Sequence, residues 1–302
     1  MRYPATLKYW WIAIRPKTLS IAVVPVLIGS ALAWHDTGDL LWSVLLAALL
    51  AALLIQAGTN LHNDAADFER GADSSATRLG PARVTAQGWL SAVQVHRGAW
   101  LSFAMAMLLG VYLIRVGGWP ILTVGLLSIA AAWAYTGGPK PLAYTGMGEL
   151  FVWLFFGLVA VAGSYYLQTE RLTWSALLVG ALVGMPAAAV LVVNNYRDLD
   201  NDKRVGKNTL AVQWGRSASQ LEYALLMLLP FALLPLLPLL GVGGWGWALP
   251  YVSLPLAFGL VRRFRSESPG PAFNPLLAAT ARLQLIWGGL LYVGLLLANP
   301  AS

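Results

Sequence analysis

Long apolar segments, separated by short polar connections, dominate the chain. A helix needs about 20 apolar residues to cross the hydrocarbon core of a bilayer. We predict nine such spans, at residues 18–35, 40–62, 98–115, 118–137, 148–168, 173–196, 219–241, 246–262 and 278–298. A membrane β-barrel would need alternating apolar and polar positions, whereas stretches such as 41–54 and 225–240 are apolar on every side. The pattern therefore predicts an all-α integral membrane protein, with nine transmembrane helices in one domain covering residues 1–302.

The composition agrees with a membrane environment. Hydrophobic residues make up 58% of the 302 positions and charged residues only 11%, and the mean hydropathy is +0.65. Soluble proteins use about 25% charged residues. The chain contains no cysteine, which excludes a disulfide framework, a thiolate nucleophile and a cysteine-ligated metal site.

The basic residues indicate how the chain is oriented in the membrane. There are 20 Lys and Arg against 13 Asp and Glu, a net charge of +7. If the N-terminus is cytoplasmic, all of the basic residues except Arg115 and Arg171 lie on the cytoplasmic side, as the positive-inside rule requires. We therefore expect the C-terminus outside and no nucleic-acid partner. An alternative interpretation of the first span is a signal peptide cleaved near residues 31–33, although its charged region is unusually long for one.

Seven of the 13 acidic residues lie in two short stretches, residues 60–73 and 194–207, at the ends of the second and sixth predicted spans. We expect both in cytoplasmic loops, at 60–90 and 194–217. They share a frame of one Asn and two Asp at steps of three or four, namely Asn60, Asp64 and Asp67 in the first stretch and Asn194, Asp198 and Asp202 in the second. Such steps keep side chains on one helical face, which predicts two half-sites that face each other.

Carboxylates at the C-terminal end of a helix are disfavoured by the helix dipole, so a cation is expected beside them. Oxygen ligands in an incomplete protein shell suit Mg²⁺ whose remaining ligands are substrate phosphates. A solvated loop would explain either stretch alone, but not the matching frame of the two. An EF-hand is excluded because Thr209 occupies the position of the bidentate Glu.

Seven motifs resemble those of the UbiA superfamily of intramembrane aromatic prenyltransferases. They are Arg-Pro-Lys-Thr-Leu at 15–19, Asn-Leu-His-Asn-Asp at 60–64, Gly-Pro-Ala-Arg at 80–83, Tyr-Thr-Gly-Gly-Pro-Lys-Pro-Leu at 135–142, Gly-Met-Gly-Glu at 146–149, Asn-Tyr-Arg-Asp at 195–198 and Gly-Lys-Asn-Thr-Leu-Ala at 206–211. The wider superfamily has a third Asp where this chain has Gly71, with Asp73 two residues later. This departure is usual in the branch that prenylates 1,4-dihydroxy-2-naphthoate, which the chain looks most like.

The resemblance implies a UbiA-type helical bundle that ionises an allylic polyprenyl diphosphate with the help of Mg²⁺. The ring carbon of 1,4-dihydroxy-2-naphthoate that bears the carboxylate then attacks the allylic cation. Loss of CO₂ and diphosphate gives demethylmenaquinol, in menaquinone biosynthesis. The resemblance further implies a bacterial inner membrane, with the active site on the cytoplasmic side.

The resemblance also assigns site residues at the matched positions. It implies that Mg²⁺ is held by Asn60, Asp64, Asp67, Asp198 and Asp202, the four aspartates being catalytic. The diphosphate is expected to contact Arg83, Lys140, Arg197 and Lys207. The candidates for binding the acceptor are Arg15, Lys17, Tyr135, Tyr144, Glu149 and Asp73. Arg15 and Lys17 fit equally well as membrane-surface residues, and Asp67, Asp73 and Glu149 remain alternatives for a base at the ring hydroxyl.

Two other functions stay open at this point. A UbiA-type enzyme with another aromatic acceptor, such as 4-hydroxybenzoate, would use the same motifs. A secondary transporter would carry ionisable or unwound elements near the middle of the membrane, whereas no acidic or basic residue falls mid-span here. The expected partners are therefore polyprenyl diphosphate, the naphthoate and membrane lipid, with no obligate protein partner indicated. Any span could line the prenyl channel, so the tail length is not predicted.

Overall fold

Helices form almost all of the regular structure in residues 5–71 and 79–297, which are the residues that the computed structural model describes. No strand occurs in these ranges, which confirms the all-α prediction. The elements are α1 (Ala5–Ile14), α2 (Pro16–Thr37), α3 (Trp42–Glu69), α4 (Ala92–Ala134), a 3₁₀ turn (Leu142–Tyr144), α5 (Gly148–Trp153), a π-helical segment (Leu154–Val159), α6 (Ala160–Thr169), α7 (Trp174–Arg204), α8 (Leu210–Leu233), α9 (Leu236–Leu239), a 3₁₀ segment (Gly246–Ser253), α10 (Leu254–Ser266) and α11 (Phe273–Leu297).

Six helical segments in the described residues are long and apolar enough to cross a membrane: α2, α3, α4, the α5–α6 rod, α7 and α11. The chain is therefore a multi-pass membrane protein. The predicted span 98–115 and most of 118–137 fall within α4, which ends at Ala134 and kinks at Gly118 (φ 65°) just before Pro120. The spans predicted at 219–241 and 246–262 fall on helical segments outside this set of six. The count of nine crossings stays a prediction.

The two acidic stretches are helical where the sequence analysis expected loops. α3 continues to Glu69 and α7 to Arg204, so Asp67 and Asp202 both lie in the last turns of long helices. Residues 60–69 and 194–204 contain neither Gly nor Pro, so nothing local stops either helix. The expectation of loops at 60–90 and 194–217 is wrong for residues 60–69 and 194–204. The helical extension fixes the direction of every side chain in the two motifs.

The main hydrophobic core lies on one side of α7, where α2, α6, α8, α10 and α11 meet around it. A smaller core joins α2, α3, α4 and α6. A third one packs α1 and the polar end of α3 against Val84, Leu90 and the start of α4. The space between these cores is not filled by side chains, and the site described below occupies it.

Glycines allow the π-helical segment to lie directly against α7. A Cβ atom added at Gly157 would come within 2.5 Å of the Gly180 carbonyl oxygen and 2.7 Å of the Gly184 Cα. Real Cβ atoms do not approach backbone this closely, so the two helices would have to separate. Small residues at helix crossings permit such close packing inside membranes.

Replacing Gly157 by Ala is expected to destabilise the protein by about 1–3 kcal/mol, the usual cost of overpacking a tight contact. The measurement is thermal unfolding of the purified protein in detergent. Gly289→Ala is the matched control, because an added Cβ there meets nothing within 4 Å. Equal melting temperatures for the two variants would contradict this account of the α7 contact.

Candidate active site

One elongated cavity of about 1130 Å³ lies between α2, α3, α4, the α5–α6 rod and α7. Its wall along α3 runs from Asp67 to Ala48, a distance of about 28 Å at the helical rise per residue. This length approaches the thickness of a bilayer's hydrocarbon core, which is about 30 Å. Carboxylates and amides line one end, and aliphatic and aromatic side chains line most of the rest. The cavity can therefore hold a ligand with a charged head and a long apolar tail.

The two motif helices supply the polar end. The acidic and amide side chains that line the cavity there are Asn60, Asn63 and Asp67 from α3, and Asn194, Asn195, Asp198, Asn201 and Asp202 from α7. On both helices, the cavity is therefore lined by an Asn and by an Asp four residues later. These pairs are Asn63 and Asp67 on α3, and Asn194 and Asp198 on α7. Of the pair predicted from the sequence on α3, Asn60 lines the cavity and Asp64 does not. Asn63 was missed, although its spacing from Asp67 was visible in the sequence.

Asp64 faces away from the cavity and is 1% exposed. Its Oδ2 accepts a hydrogen bond from the Val84 backbone N–H at 3.2 Å, and its Oδ1 accepts one from the Thr85 N–H at 3.1 Å. The Thr85 hydroxyl lies 2.5 Å from the same Oδ1. The carboxylate therefore binds protein donors from the connection between α3 and α4, and the structure does not place it among the cavity-lining oxygens.

Asp67 is held by three groups from other parts of the chain. Arg83 Nη2 lies 3.2 Å from its Oδ2, while the Tyr144 hydroxyl donates to its Oδ1 at 3.1 Å and Lys207 Nζ lies 3.5 Å from that atom. Lys207 also lies 4.7 Å from the centre of the Tyr144 ring. Burial, helped by the neighbouring Asp67 charge, raises the pKa of Tyr144 above its ordinary value. The Tyr144 hydroxyl therefore keeps its proton and remains a donor.

Arg197 contacts the end of α7 on the side away from the cavity. It is buried, lies outside the cavity wall and forms two hydrogen bonds to Asp198, at 2.8 and 2.5 Å. It also donates to the side-chain oxygens of Asn194 and Asn274, both at 2.7 Å. The sequence analysis expected Arg197 to contact a diphosphate. In the structure, Arg197 instead donates to and orients the Asp198 carboxylate, which faces the cavity.

Arg15 brings a buried positive charge to the same end of the cavity. Its backbone is left-handed (φ 52°), which costs about 1–2 kcal/mol in a residue with a Cβ, and it separates α1 from Pro16 at the start of α2. Its Nη2 atom is buried without a hydrogen-bond partner in the described residues. Lys17 and Tyr135 line the cavity with it. Together they form a cationic and aromatic wall.

Three other predicted residues lie elsewhere. Lys140 is exposed on the connection after α4 and does not line the cavity. Glu149 is buried behind the wall, where its Oε1 accepts a hydrogen bond from Asn195 at 2.6 Å. Asp73 lies outside the described residues. The structure therefore brings neither Lys140 nor Glu149 to the cavity surface.

The donors at the polar end fit a hard cation that shares its ligands with a substrate. Within residues 5–71 and 79–297, no three Asp, Glu, His or Cys side chains are close enough to hold a metal by themselves. Asp67, Asp198 and Asp202 nevertheless line one end of one cavity from two helices. Such an oxygen-only, incomplete shell is how proteins commonly hold Mg²⁺ when phosphate oxygens complete it.

Comparison with known proteins agrees with this geometry. The chain is 36% identical, over 94% of its length and 95% of the relative's, to 1,4-dihydroxy-2-naphthoate octaprenyltransferase of Mycobacterium tuberculosis. It is 34% identical to the protein of the same name from Escherichia coli, with 97% and 96% of the two chains covered. The structure superposes with a TM-score of 0.65, at 14% identity, on a UbiA homologue from Archaeoglobus fulgidus bound to DMAPP and Mg²⁺, covering 94% of this chain and 99% of that one.

The family profile provides the broadest match. The profile of the UbiA prenyltransferase family matches residues 22–297, a range that contains both motif helices and almost the whole cavity wall. With this match and relatives above 30% identity along nearly the full chain, the protein belongs to the UbiA prenyltransferase family.

Proposed function

We propose that this protein transfers a polyprenyl group from an allylic polyprenyl diphosphate to 1,4-dihydroxy-2-naphthoate, releasing CO₂ and diphosphate and forming demethylmenaquinol for menaquinone biosynthesis. The observation that carries the proposal is the single cavity that joins an oxygen-rich, charged end to an apolar channel about as long as a bilayer is thick. The names of the relatives at 34–36% identity support 1,4-dihydroxy-2-naphthoate as the acceptor.

In the proposed site, the diphosphate lies at the polar end with its tail along the apolar wall. Arg83 and Lys207, both beside Asp67, can donate to diphosphate oxygens. Asp67, Asp198 and Asp202, which line the polar end, are the proposed ligands of Mg²⁺. The solved relative bound to DMAPP and Mg²⁺ supports the use of this metal. Asp64 is left out because it does not line the cavity and its carboxylate accepts hydrogen bonds from Val84 and Thr85. Bound Mg²⁺ would supply positive charge that stabilises the diphosphate as it leaves.

The acceptor is proposed to bind beside Arg15. Its carboxylate can pair with the free Nη2 of Arg15 and with Lys17, while Tyr135 contacts the ring. This places the carboxylate-bearing carbon toward the allylic carbon, which is the orientation that the new C–C bond requires. When the carboxylate leaves as CO₂, its bonding electron pair restores the aromatic ring. Replacement of the carboxylate by the prenyl group therefore needs no net removal of a proton by the protein.

We further propose that the chain is a single UbiA-type domain covering residues 1–302, with nine crossings, a cytoplasmic N-terminus and an external C-terminus. The distribution of Lys and Arg supports this orientation. In this proposed orientation, the motif ends of α3 and α7 and the polar end of the cavity lie on the cytoplasmic side, where water-soluble diphosphate can leave. The proposed location is a bacterial inner membrane.

The acceptor is tested with purified protein, a labelled polyprenyl diphosphate and a panel of aromatic acids. We expect a prenylated product and an equal amount of CO₂ with 1,4-dihydroxy-2-naphthoate, and only with Mg²⁺ present after chelation. Turnover of 4-hydroxybenzoate alone would assign the protein to a different branch of the family. Ion flux in proteoliposomes without prenyl transfer would instead favour a transporter.

Asp67→Asn and Asp198→Asn are each expected to lower kcat by about 10²-fold or more, because each removes a charge that positions the leaving group in a water-poor site. Asp200→Asn is the matched control. That residue belongs to the second motif, but its side chain is 85% exposed and pairs with Arg216. Detergent melting curves check folding, and full activity in a folded Asp67→Asn protein would refute the proposed metal ligand.

Arg15→Gln is expected to raise KM for the naphthoate about tenfold or more, with a smaller effect on KM for the prenyl donor, because a charge-assisted pair to the carboxylate is lost. Lys8→Gln serves as the control, since Lys8 is an exposed base in the neighbouring α1. A selective rise in KM for the donor would place Arg15 at the diphosphate instead.

A further inference from the structure

The segment that carries Arg83 is held at both ends by hydrogen bonds from side chains outside the cavity wall. At its C-terminal end, the Asp64 carboxylate on α3 accepts hydrogen bonds from the backbone N–H groups of Val84 and Thr85. At its other end, Asn274 at the start of α11 donates from Nδ2 to the Leu79 carbonyl oxygen at 2.8 Å. Residues 79–85, which we term the Arg83 segment, are therefore attached to two helices distant from each other in sequence.

Apolar packing anchors one end of this segment but does not orient Arg83. Val84 is fully buried and packs with Leu90 against Leu61 and Ala65 of α3. Val84 and Arg83 are neighbours in an irregular stretch, so a small rotation of the backbone would keep Val84 buried and still move the guanidinium. Hydrogen bonds to the Val84 and Thr85 N–H groups oppose that rotation, because they fix the peptide planes beside Arg83.

Burial of the Asp64 carboxylate costs free energy, and both of its oxygens accept hydrogen bonds from the protein. A buried carboxylate is tolerated when several donors surround it, and here two backbone N–H groups and the Thr85 hydroxyl do so. A carboxylate has two acceptor oxygens, one for each N–H group, whereas the amide of Asn has only one. This requirement explains an Asp at position 64 without any metal.

The second attachment connects the Arg83 segment to the other motif. The Oδ1 of Asn274 accepts a hydrogen bond from Arg197, and its Nδ2 donates one to the Leu79 carbonyl oxygen. Asn274 therefore connects the residue that contacts Asp198 to the residue that begins the Arg83 segment. A chain of hydrogen bonds through Asn274 and Arg197 thus connects the Arg83 segment to Asp198.

From this geometry we infer that Asp64 and Asn274 are positioning residues that fix the two ends of residues 79–85 and so hold Arg83 at the diphosphate end of the cavity, and that Asp64 is not a metal ligand. The inference rests on the proposed function for its kinetic readout only. Neither residue touches the substrate; both act through Arg83.

The kinetic test compares Asp64→Asn, Thr85→Val and Asn274→Asp with wild type. Asn at 64 keeps one acceptor and loses the other, Val at 85 removes the hydroxyl, and Asp at 274 keeps the Arg197 contact but cannot donate to Leu79. Each variant is expected to raise KM for polyprenyl diphosphate, and the inhibition constant of inorganic pyrophosphate, about three- to tenfold, the scale of one lost hydrogen bond. The Mg²⁺ concentration for half-maximal activity is expected to stay unchanged. Thr85→Ser should restore wild-type values.

A second readout needs no substrate. The chain has no cysteine, so spin labels can be attached at Ala82→Cys and Ser217→Cys, two exposed positions, without removing native residues. The distance distribution between them, measured by pulsed EPR, is expected to broaden in Asp64→Asn and Asn274→Asp and to match wild type in Asp200→Asn. This outcome would support the inference even if the naphthoate proved not to be the acceptor.

Two outcomes would overturn the inference. One is an increase in the Mg²⁺ requirement of Asp64→Asn with no effect of Thr85→Val, which is the behaviour of a metal ligand. The other is an unchanged distance distribution in Asp64→Asn and Asn274→Asp. Melting temperatures of the labelled proteins exclude global unfolding, and the Thr85→Ser and Thr85→Val pair gives a result even if Asp64→Asn does not fold.

Discussion

The burial of carboxylates at the ends of two membrane-embedded helices is the constraint on which the polar half of this structure depends. A buried charge is tolerated only when donors and opposite charges surround it. Asp67 obtains them from Arg83, Tyr144 and Lys207, which follow three different helices in the chain. The connections between helices must therefore fold back onto the helix ends, and their positions are set by the charges that they neutralise.

The same arrangement suits a ligand that carries both signs of charge. A bare diphosphate would be repelled by Asp67, Asp198 and Asp202, and a bare divalent cation would be repelled by Arg83 and Lys207. A metal–diphosphate complex presents positive charge to the carboxylates and negative charge to the bases, so it satisfies both sets at once. Mixed charge in a low-dielectric cavity thus favours the complex over either component.

Much of this arrangement could be predicted from residue patterns. Apolar segments predicted the six long apolar helices, because a chain that crosses lipid must satisfy its backbone polar groups within helices, and the clustering of acids pointed to the site. Patterns could not show that Asn60 and Asn63 line the cavity while Asp64 does not, because steps of three and four both remain on one face of a helix. Only the packing of Val84 and Thr85 against α3 turns Asp64 away. The role of Arg197 could not be predicted from patterns either, because its position depends on a hydrogen bond to Asn274, 77 residues later.

The length of the cavity explains why charged and apolar chemistry must meet at one end of it. A tail that lies along α3 toward Ala48 leaves its allylic carbon beside Asp67 and Asp198, where the last helical turns end. An allylic cation formed there would be captured by water as readily as by an aromatic ring, so exclusion of water is as necessary as activation. Arg83, Tyr144 and Lys207 come from the connections that cover this end. The groups that neutralise Asp67 therefore also shield its side chain, which is 5% exposed, from the solvent.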